Sequence, residues 1–249
     1  MKVLAWNIRA GGGVRVAGIF QQLVTWDADI LVLSEFRGTS ASQSLAAMLR
    51  GAGWLHQVTT ARSNDKTNGL LLASRWPVTP IEHRIRIDPF RWLPCLIHDF
   101  GHGGHEPLFI GSMHVPNRVS GRKDRFQRGV IRFVKKFPRE PGLLLGDTNS
   151  GISVIDEESP AFGAMEENWI GQLSKLGWVD GFRHIHGDKR EFSWYSPNGN
   201  NGFRLDYAYL SPKTVGGLIS VSYQWGKSGG SRRREVLSDH AAIMANITI

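Results

Sequence analysis

Cysteine is nearly absent. Cys95 is the single one in 249 residues, which excludes an intrachain disulfide and any zinc site built on several thiolates. Its place inside the apolar run "LPCLI" suits a small core residue better than a nucleophile. Long hydrophobic runs are missing too. The opening "MKVLAWNIRAGGG" turns polar after about four apolar residues, too few for a signal-peptide core or a membrane span, so the expectation is a soluble, cytoplasmic protein with no membrane contact. No low-complexity linker divides the chain, and residues 1–249 are expected to form one domain that is long enough to bury a core. "AGGGVR" lacks the lysine and Ser/Thr of a phosphate-binding loop, and reads instead as a loop at a cleft rim. Acidic residues are the scarcer charge: 30 Lys and Arg stand against 22 Asp and Glu, a formal net charge of +8. That balance favours polyanionic partners, because cationic side chains release counterions when they meet phosphates.

What the sequence does contain is a series of short apolar runs: "KVLAW", "ILVLS", "GLLLAS", "RWLPCLIHDF", "LFIGSMH" and "GLLLGD". Later come "EFSWYS", "RLDYAYLS", "ISVSYQW" and "HAAIMANITI", which alternate more clearly. Together they predict about ten strands. Helices are predicted near 14–26, 42–51, 122–137 and 165–176. In the third, Phe126, Val130, Phe133, Val134 and Phe137 form one apolar stripe, with Arg122, Arg125, Arg128, Arg132, Lys135 and Lys136 on the other faces. Pro138 and Pro141 stop it. Two helix exits, "MLRGAGWLHQ" and "LSKLGWVDGF", match in layout and hint at a weak two-fold repeat. Many strands with few helices predict an α/β domain of two packed sheets with helices outside.

Polar groups gather at the ends of these runs. "LAWNIRA" delivers Asn7, "LVLSEFRG" Glu35, "FIGSMHVPN" His114 and Asn117, "LLLGDTNS" Asp147 and Asn149, "RLDYAYLS" Asp206, and "VLSDHAAI" Ser238, Asp239 and His240. Each alone fits an ordinary turn. Together they are carboxylates, amides and imidazoles whose convergence would line one cleft. Oxygen donors without cysteine suit a hard cation, Mg²⁺ or Mn²⁺, with Glu35 and Asp239 as direct ligands and Asn7 beside them. Asp147, assisted by Asn149, could hold an attacking water. Asp206 could keep His240 charged against a phosphate. This is the equipment of metal-assisted phosphoester hydrolysis.

The ordered set "WN", "SE", "H" followed by "VPN", "GDTN", "RLDY" and "SDH" resembles the endonuclease/exonuclease/phosphatase superfamily, which includes DNase I, exonuclease III, abasic-site endonucleases and sphingomyelinases. In layout it is closest to the exonuclease III and abasic-site endonuclease branch. The resemblance runs from Asn7 to His240. It implies a four-layer αββα sandwich of two mixed sheets flanked by helices, and a metal-dependent phosphodiesterase site at one end. Glu35 would bind metal near Asn7 and Asp239, Asp147 and Asn149 would activate water, and His114 and His240, the latter oriented by Asp206, would meet the scissile phosphate. The branch usually carries tyrosine where this chain has His114, and histidine there is closer to the DNase I and sphingomyelinase pattern.

The implied substrate is DNA. Arg9, Arg37, Arg118 and Arg122 follow the site motifs and the Arg232–Arg234 run precedes "SDH", so a long phosphate backbone is favoured over a small phosphoester. Asn117 belongs to the same substrate-facing set. Trp194, Tyr195 and Phe203 could stack on a displaced nucleotide. The alternatives are a phosphoesterase for a lipid headgroup or small phosphorylated molecule, motivated by His114, and a DNA-binding module without chemistry. "GHGGHE" reads as a hairpin turn and "HIH" at 184–186 as a pair on one strand face, neither of them a metal site. No protein partner is implied, and a monomer is expected.

Overall fold

The computed structural model describes residues 1–100, 106–137, 140–226 and 237–248. The Arg232–Arg234 run, Pro138 and all but the last residue of "GHGGHE" lie outside the described residues.

Two six-stranded sheets make up the centre. One runs β13 (Leu218–Gln224), β14 (Ala242–Ile247), β1 (Lys2–Asn7), β2 (Ile30–Phe36), β4 (Gly69–Ser74), β3 (His56–Thr59). The other runs β5 (Val78–Pro80), β6 (Trp92–Ile97), β7 (Leu108–His114), β8 (Gly142–Asp147), β12 (Asp206–Leu210), β9 (Val179–Asp180). A small ribbon pairs β10 (Trp194–Tyr195) with β11 (Gly202–Phe203). The helices are α1 (Val16–Trp26), α2 (Ser40–Gly51), α3 (Lys123–Val134), α4 (Ala164–Lys175), and two short ones, α5 (Gly181–His186) and α6 (Pro212–Val215).

The period-two alternation of the strands sorts their side chains into layers. Val3, Ala5, Ile30 and Val32 of the first sheet meet Ile110, Leu143, Leu145 and Ala208 of the second in the central core. The opposite face of the first sheet, with Leu4, Trp6, Leu31 and Leu33, packs on Ile19 and Leu23 of α1 and Leu45 and Leu49 of α2. The opposite face of the second, with Phe109, Leu144 and Tyr207, packs on Phe126, Val130 and Phe133 of α3 and Trp169 and Leu173 of α4. The expected four-layer α/β sandwich is therefore what forms. Cys95 sits in the central core, and burial pushes its thiol up to about 12, which leaves it unreactive.

The two sheets share one plan. In each, a single parallel pair is flanked by antiparallel strands: β1 with β2, joined through α1, and β7 with β8, joined through α3. The matched helix exits fall at equivalent places, α2 into edge strand β3 and α4 into edge strand β9. Gly53 (φ 104°) and Gly177 (φ 87°) are both left-handed, and the following N–H groups of Trp54 and Trp178 donate to Leu49 and Leu173, each at 3.1 Å. The repeat in the sequence is thus a repeat in the fold.

Some local expectations differ. "HIH" lies in α5 rather than on a strand, because Asp180 caps that helix by accepting from Phe182 and Arg183 N–H. "EFSWYS" supplies only the two residues of β10, and Ser238–His240 precede β14 instead of opening it.

Next to the functional end lies a buried ionic cluster. Arg204, fully buried, donates from Nε to Asp156 at 2.6 Å and from Nη2 to Asp180 at 2.7 Å, and Tyr207 Oη donates to Asp156 at 2.7 Å. The cluster ties the 151–163 loop to the start of β12. Removing one partner strands the other charges in the interior, so Arg204→Met should cost about 3–5 kcal/mol in urea unfolding. A loss below about 1 kcal/mol would show the cluster to be dispensable.

Candidate active site

The parallel pairs place four strand ends together. Asn7 at the end of β1 is paired with Ser34 of β2, and His114 at the end of β7 with Asp147 of β8. Asp206, first in β12, lies opposite Asp147 on the other side. Ligands gather beyond the carboxyl ends of strands in such sheets, and here those ends wall a cleft of about 500 Å³.

Asp147 is its hub. Its Oδ1 accepts from Asn149 N at 2.9 Å, and its Oδ2 accepts from Asn7 Nδ2 at 3.1 Å. The same oxygen lies 3.7 Å from His114 Nε2 and 3.9 Å from His240 Nε2. Burial drives the Asp147 carboxyl above the ordinary range, to about 7, against the pull of the charged His240. A carboxylate that titrates near neutrality suits a general base.

His240 gains its charge from Asp206, whose Oδ2 is 2.9 Å from Nδ1. Burial works against the imidazolium, yet Asp206 above all, followed by Asp147 and Asp239, raises the ring to about 10. The loop carrying it is fastened to β1: Ser238 Oγ donates to Asn7 O at 2.5 Å and Trp6 Nε1 to His240 O at 2.9 Å. His114 is opposite in character. Burial, then the charges of Arg91 and His240, hold it well below the usual histidine value, so it is neutral.

Glu35 faces the hub across the cleft. It sits at a bulge in β2 with φ 57°, a left-handed strain of about 1–2 kcal/mol, and Ala10 N donates to its Oε2 at 2.6 Å. Asn7 directs Nδ2 toward Glu35 Oε1 at 3.5 Å while its Oδ1 accepts from Arg9 N at 3.0 Å. Asp239 is half-exposed, 3.9 Å from Arg9 Nε, and accepts from Trp194 Nε1 at 3.4 Å. Asp147, Asp206 and His240 also offer atoms within 4.8 Å of one another, and Asp206 Oδ1 is buried without a hydrogen-bond partner among the described residues. A cationic His240 cannot be a ligand, so the oxygen donors that fit a divalent cation are those of Asn7, Glu35 and Asp239.

The chain matches the family model described as "Endonuclease/Exonuclease/phosphatase family" over residues 4–240. It belongs to that family. Recombination repair protein 1 of Drosophila melanogaster is 32% identical over 132 residues, 45% of this chain and 19% of that protein. An exodeoxyribonuclease of Streptococcus pneumoniae is 29% identical over 137 residues, 47% of this chain and 50% of that one. This family member thus spans half or less of the length of those relatives. Among solved structures, a 3′-5′ exonuclease from Neisseria meningitidis superposes with a TM-score of 0.81 at 22% identity, both chains covered in full, which establishes the shared fold.

The expected residues Asn7, Arg9, Glu35, His114, Asn117, Arg122, Asp147, Asn149, Trp194, Asp239 and His240 all line the cleft. Asp206 stands behind His240. Phe203 is placed behind Trp194, with ring centroids 5.9 Å apart, and packs on Phe162 at 5.7 Å. Arg118 is not among the lining residues and donates to Ala161 O at 3.4 Å. Arg37 is held by Asn68 at 2.6 Å.

Sequence reasoning missed several contributors. Lys123, buried at the start of α3, donates to Asn149 O at 2.5 Å and pairs with Glu166 at 2.8 Å. It steadies Asn149, whose φ is 45°. Arg91, Asp88, Asn68 and Phe90 also line the cleft. The cue for Lys123 was its place in the first turn of the basic helix; Arg91 had none.

The Asp206–His240 pair sets a pH dependence. The folded-state value is raised, so the pair's contribution to stability is complete below the unfolded value of 6.5 and is lost as pH climbs through about 10. Asp206→Asn should therefore lower the urea midpoint more at about pH 6 than above about pH 10. An equal loss at both would show that the ring is not charged by Asp206.

Proposed function

We propose that this protein is a Mg²⁺- or Mn²⁺-dependent phosphodiesterase acting on DNA, as an endo- or exonuclease with abasic-site or 3′-end repair activity. The observation that carries it is one buried carboxylate, Asp147, flanked by a charged and a neutral imidazole at the mouth of a basic cleft.

Glu35 and Asp239, with Asn7 beside them, would hold the cation, which polarises the phosphate and neutralises charge that grows on it. Asp147 takes a proton from a water held between its oxygens and the Asn149 amide. Its elevated titration makes it able both to accept that proton and to release it. His240, kept cationic by Asp206, stabilises negative charge on the non-bridging oxygens without changing its own state. Asn7 fixes the orientation of both carboxylates.

Recognition of DNA follows from charge and shape. Arg9 and Arg122 line the cleft, and the net charge of +8 supports contact with a continuous backbone. Trp194, tilted over His240 with centroids 6.2 Å apart, offers a stacking face beside the scissile phosphate. The relatives' names and the DNA hairpin bound to a 3′ phosphatase from Neisseria of the same fold agree with this reading. Cytoplasmic location and a monomeric state belong to the same proposal; no helix of the described residues is long and apolar enough to cross a membrane.

Purified protein should cleave an end-labelled duplex bearing an abasic site or a blocked 3′ end in magnesium, and chelator should stop it. Asp147→Asn should slow cleavage by about 10²–10⁴-fold with duplex binding retained. Turnover of a phosphorylated headgroup with no cleavage of any DNA would replace this reading by the lipid or small-molecule alternative.

A further inference from the structure

Two imidazoles approach the same Asp147 oxygen at nearly equal distances, 3.7 Å for His114 and 3.9 Å for His240. What lies behind each ring is opposite. Behind His240 is the Asp206 carboxylate, an acceptor, so Nδ1 must carry a proton. Behind His114 is the Arg91 guanidinium, with Nη1 3.0 Å from Nδ1. A guanidinium has only donors and does not give up its proton in proteins. Nδ1 of His114 must therefore be the acceptor, and in the neutral ring the single proton sits on Nε2, the atom turned toward Asp147.

The placement of Arg91 is built by the fold. It ends the Pro89–Arg91 turn just before β6, and β6 pairs with β7 so that Trp92 faces Met113, which brings Arg91 beside His114. Arg91 N donates to Asp88 O at 2.9 Å, and Asp88 in turn accepts from Arg122 at 3.0 Å. The same Nη1 reaches the His114 carbonyl at 3.5 Å. Arg91 thus grips both the ring and the backbone of one residue.

We propose that Arg91 is a positioning residue: its bond to Nδ1 fixes His114 as a neutral ring with the proton on Nε2, an uncharged donor to a phosphate oxygen. His240 alone then supplies the positive charge. The division of labour matters. A second cation beside Asp147 would hold that carboxyl ionised more firmly and weaken it as a base, whereas a neutral N–H donor orients the phosphate without that effect. An Nδ1-protonated ring would present a lone pair to the phosphate and repel it. This inference rests on the cleft being a phosphodiesterase site.

The test has a spectroscopic and a kinetic arm, both on the full chain. Two-bond ¹H–¹⁵N spectra of histidine-labelled protein, with His114 assigned by loss of its signals in His114→Tyr, should show a neutral Nε2–H ring at neutral pH. Arg91→Lys, which keeps a donor, should preserve that tautomer, and Arg91→Met should lose it. In single-turnover cleavage of an end-labelled duplex, Arg91→Met should be slower by about 10–100-fold with duplex affinity changed less than about threefold. A tyrosine hydroxyl needs no tautomer fixed, so in a His114→Tyr background Arg91→Met should cost less than about threefold. An Nδ1–H or imidazolium His114 in the wild type overturns the proposal, as does an undiminished Arg91→Met loss in the tyrosine background, which would make Arg91 a direct phosphate contact. Should Arg91→Met fail to fold, the wild-type and Arg91→Lys spectra still decide. If the wild type cleaves no DNA, the proposed function falls while the spectra still report on the Arg91–His114 bond.

Discussion

A carboxylate buried between two sheets is the constraint around which this molecule is arranged. Asp147 is 2% exposed, and a charge removed from water is retained only where hydrogen bonds and counter-charges replace the lost hydration. Here the replacement is partial by design of the surroundings. One amide from β1, one backbone N–H two residues on, and one imidazolium held by Asp206 support the ionised form, while burial opposes it. The balance leaves the group poised between its two states, which is the condition for moving a proton. Burying Asp147 more, or pairing it fully, would remove that property.

The two-fold plan of the sheets explains how such a group can be assembled from distant parts of the chain. Each half contributes a parallel pair whose strand ends point the same way, so Asn7 and Glu35 come from one half and His114 and Asp147 from the other. Function comes from where the halves differ. The end of β1 carries an amide, and the end of β7 an imidazole. The loop before β14 adds Asp239 and His240, fastened by Ser238 and Trp6 to β1. Strands β1, β2, β7 and β8 thus hold Asn7, Glu35, His114 and Asp147, and the loop before β14 holds Asp239 and His240.

How much of this was legible in the sequence depended on whether a residue's role is local. The stripe of α3 and the apolar run ending in Asp147 were readable because periodicity reports burial on one face. The edge strands β3, β5 and β9 were not: they are two to four residues long and owe their extended form to a neighbouring strand. α5 was mistaken for a strand because six residues give no helical period, and its cap, Asp180, is also engaged by Arg204. At the site, motif order brought most groups to the cleft, since strand ends are marked in sequence. Arg91 was invisible, for its meaning arises only from the β6–β7 register. Phe203 and Arg118, expected at the substrate, are not among the residues lining the cleft; Phe203 packs on Phe162 and Trp194, and Arg118 donates to the Ala161 carbonyl.

In the proposed reaction Asp147 activates a water that attacks the phosphorus directly, with no covalent enzyme intermediate. Single-turnover cleavage of a duplex carrying one phosphorothioate of defined configuration, in ¹⁸O-labelled water, tests it most directly. One in-line displacement by water inverts the configuration at phosphorus, and inversion is the expected result. Retention would mean two displacements through a phosphorylated side chain, and would contradict it.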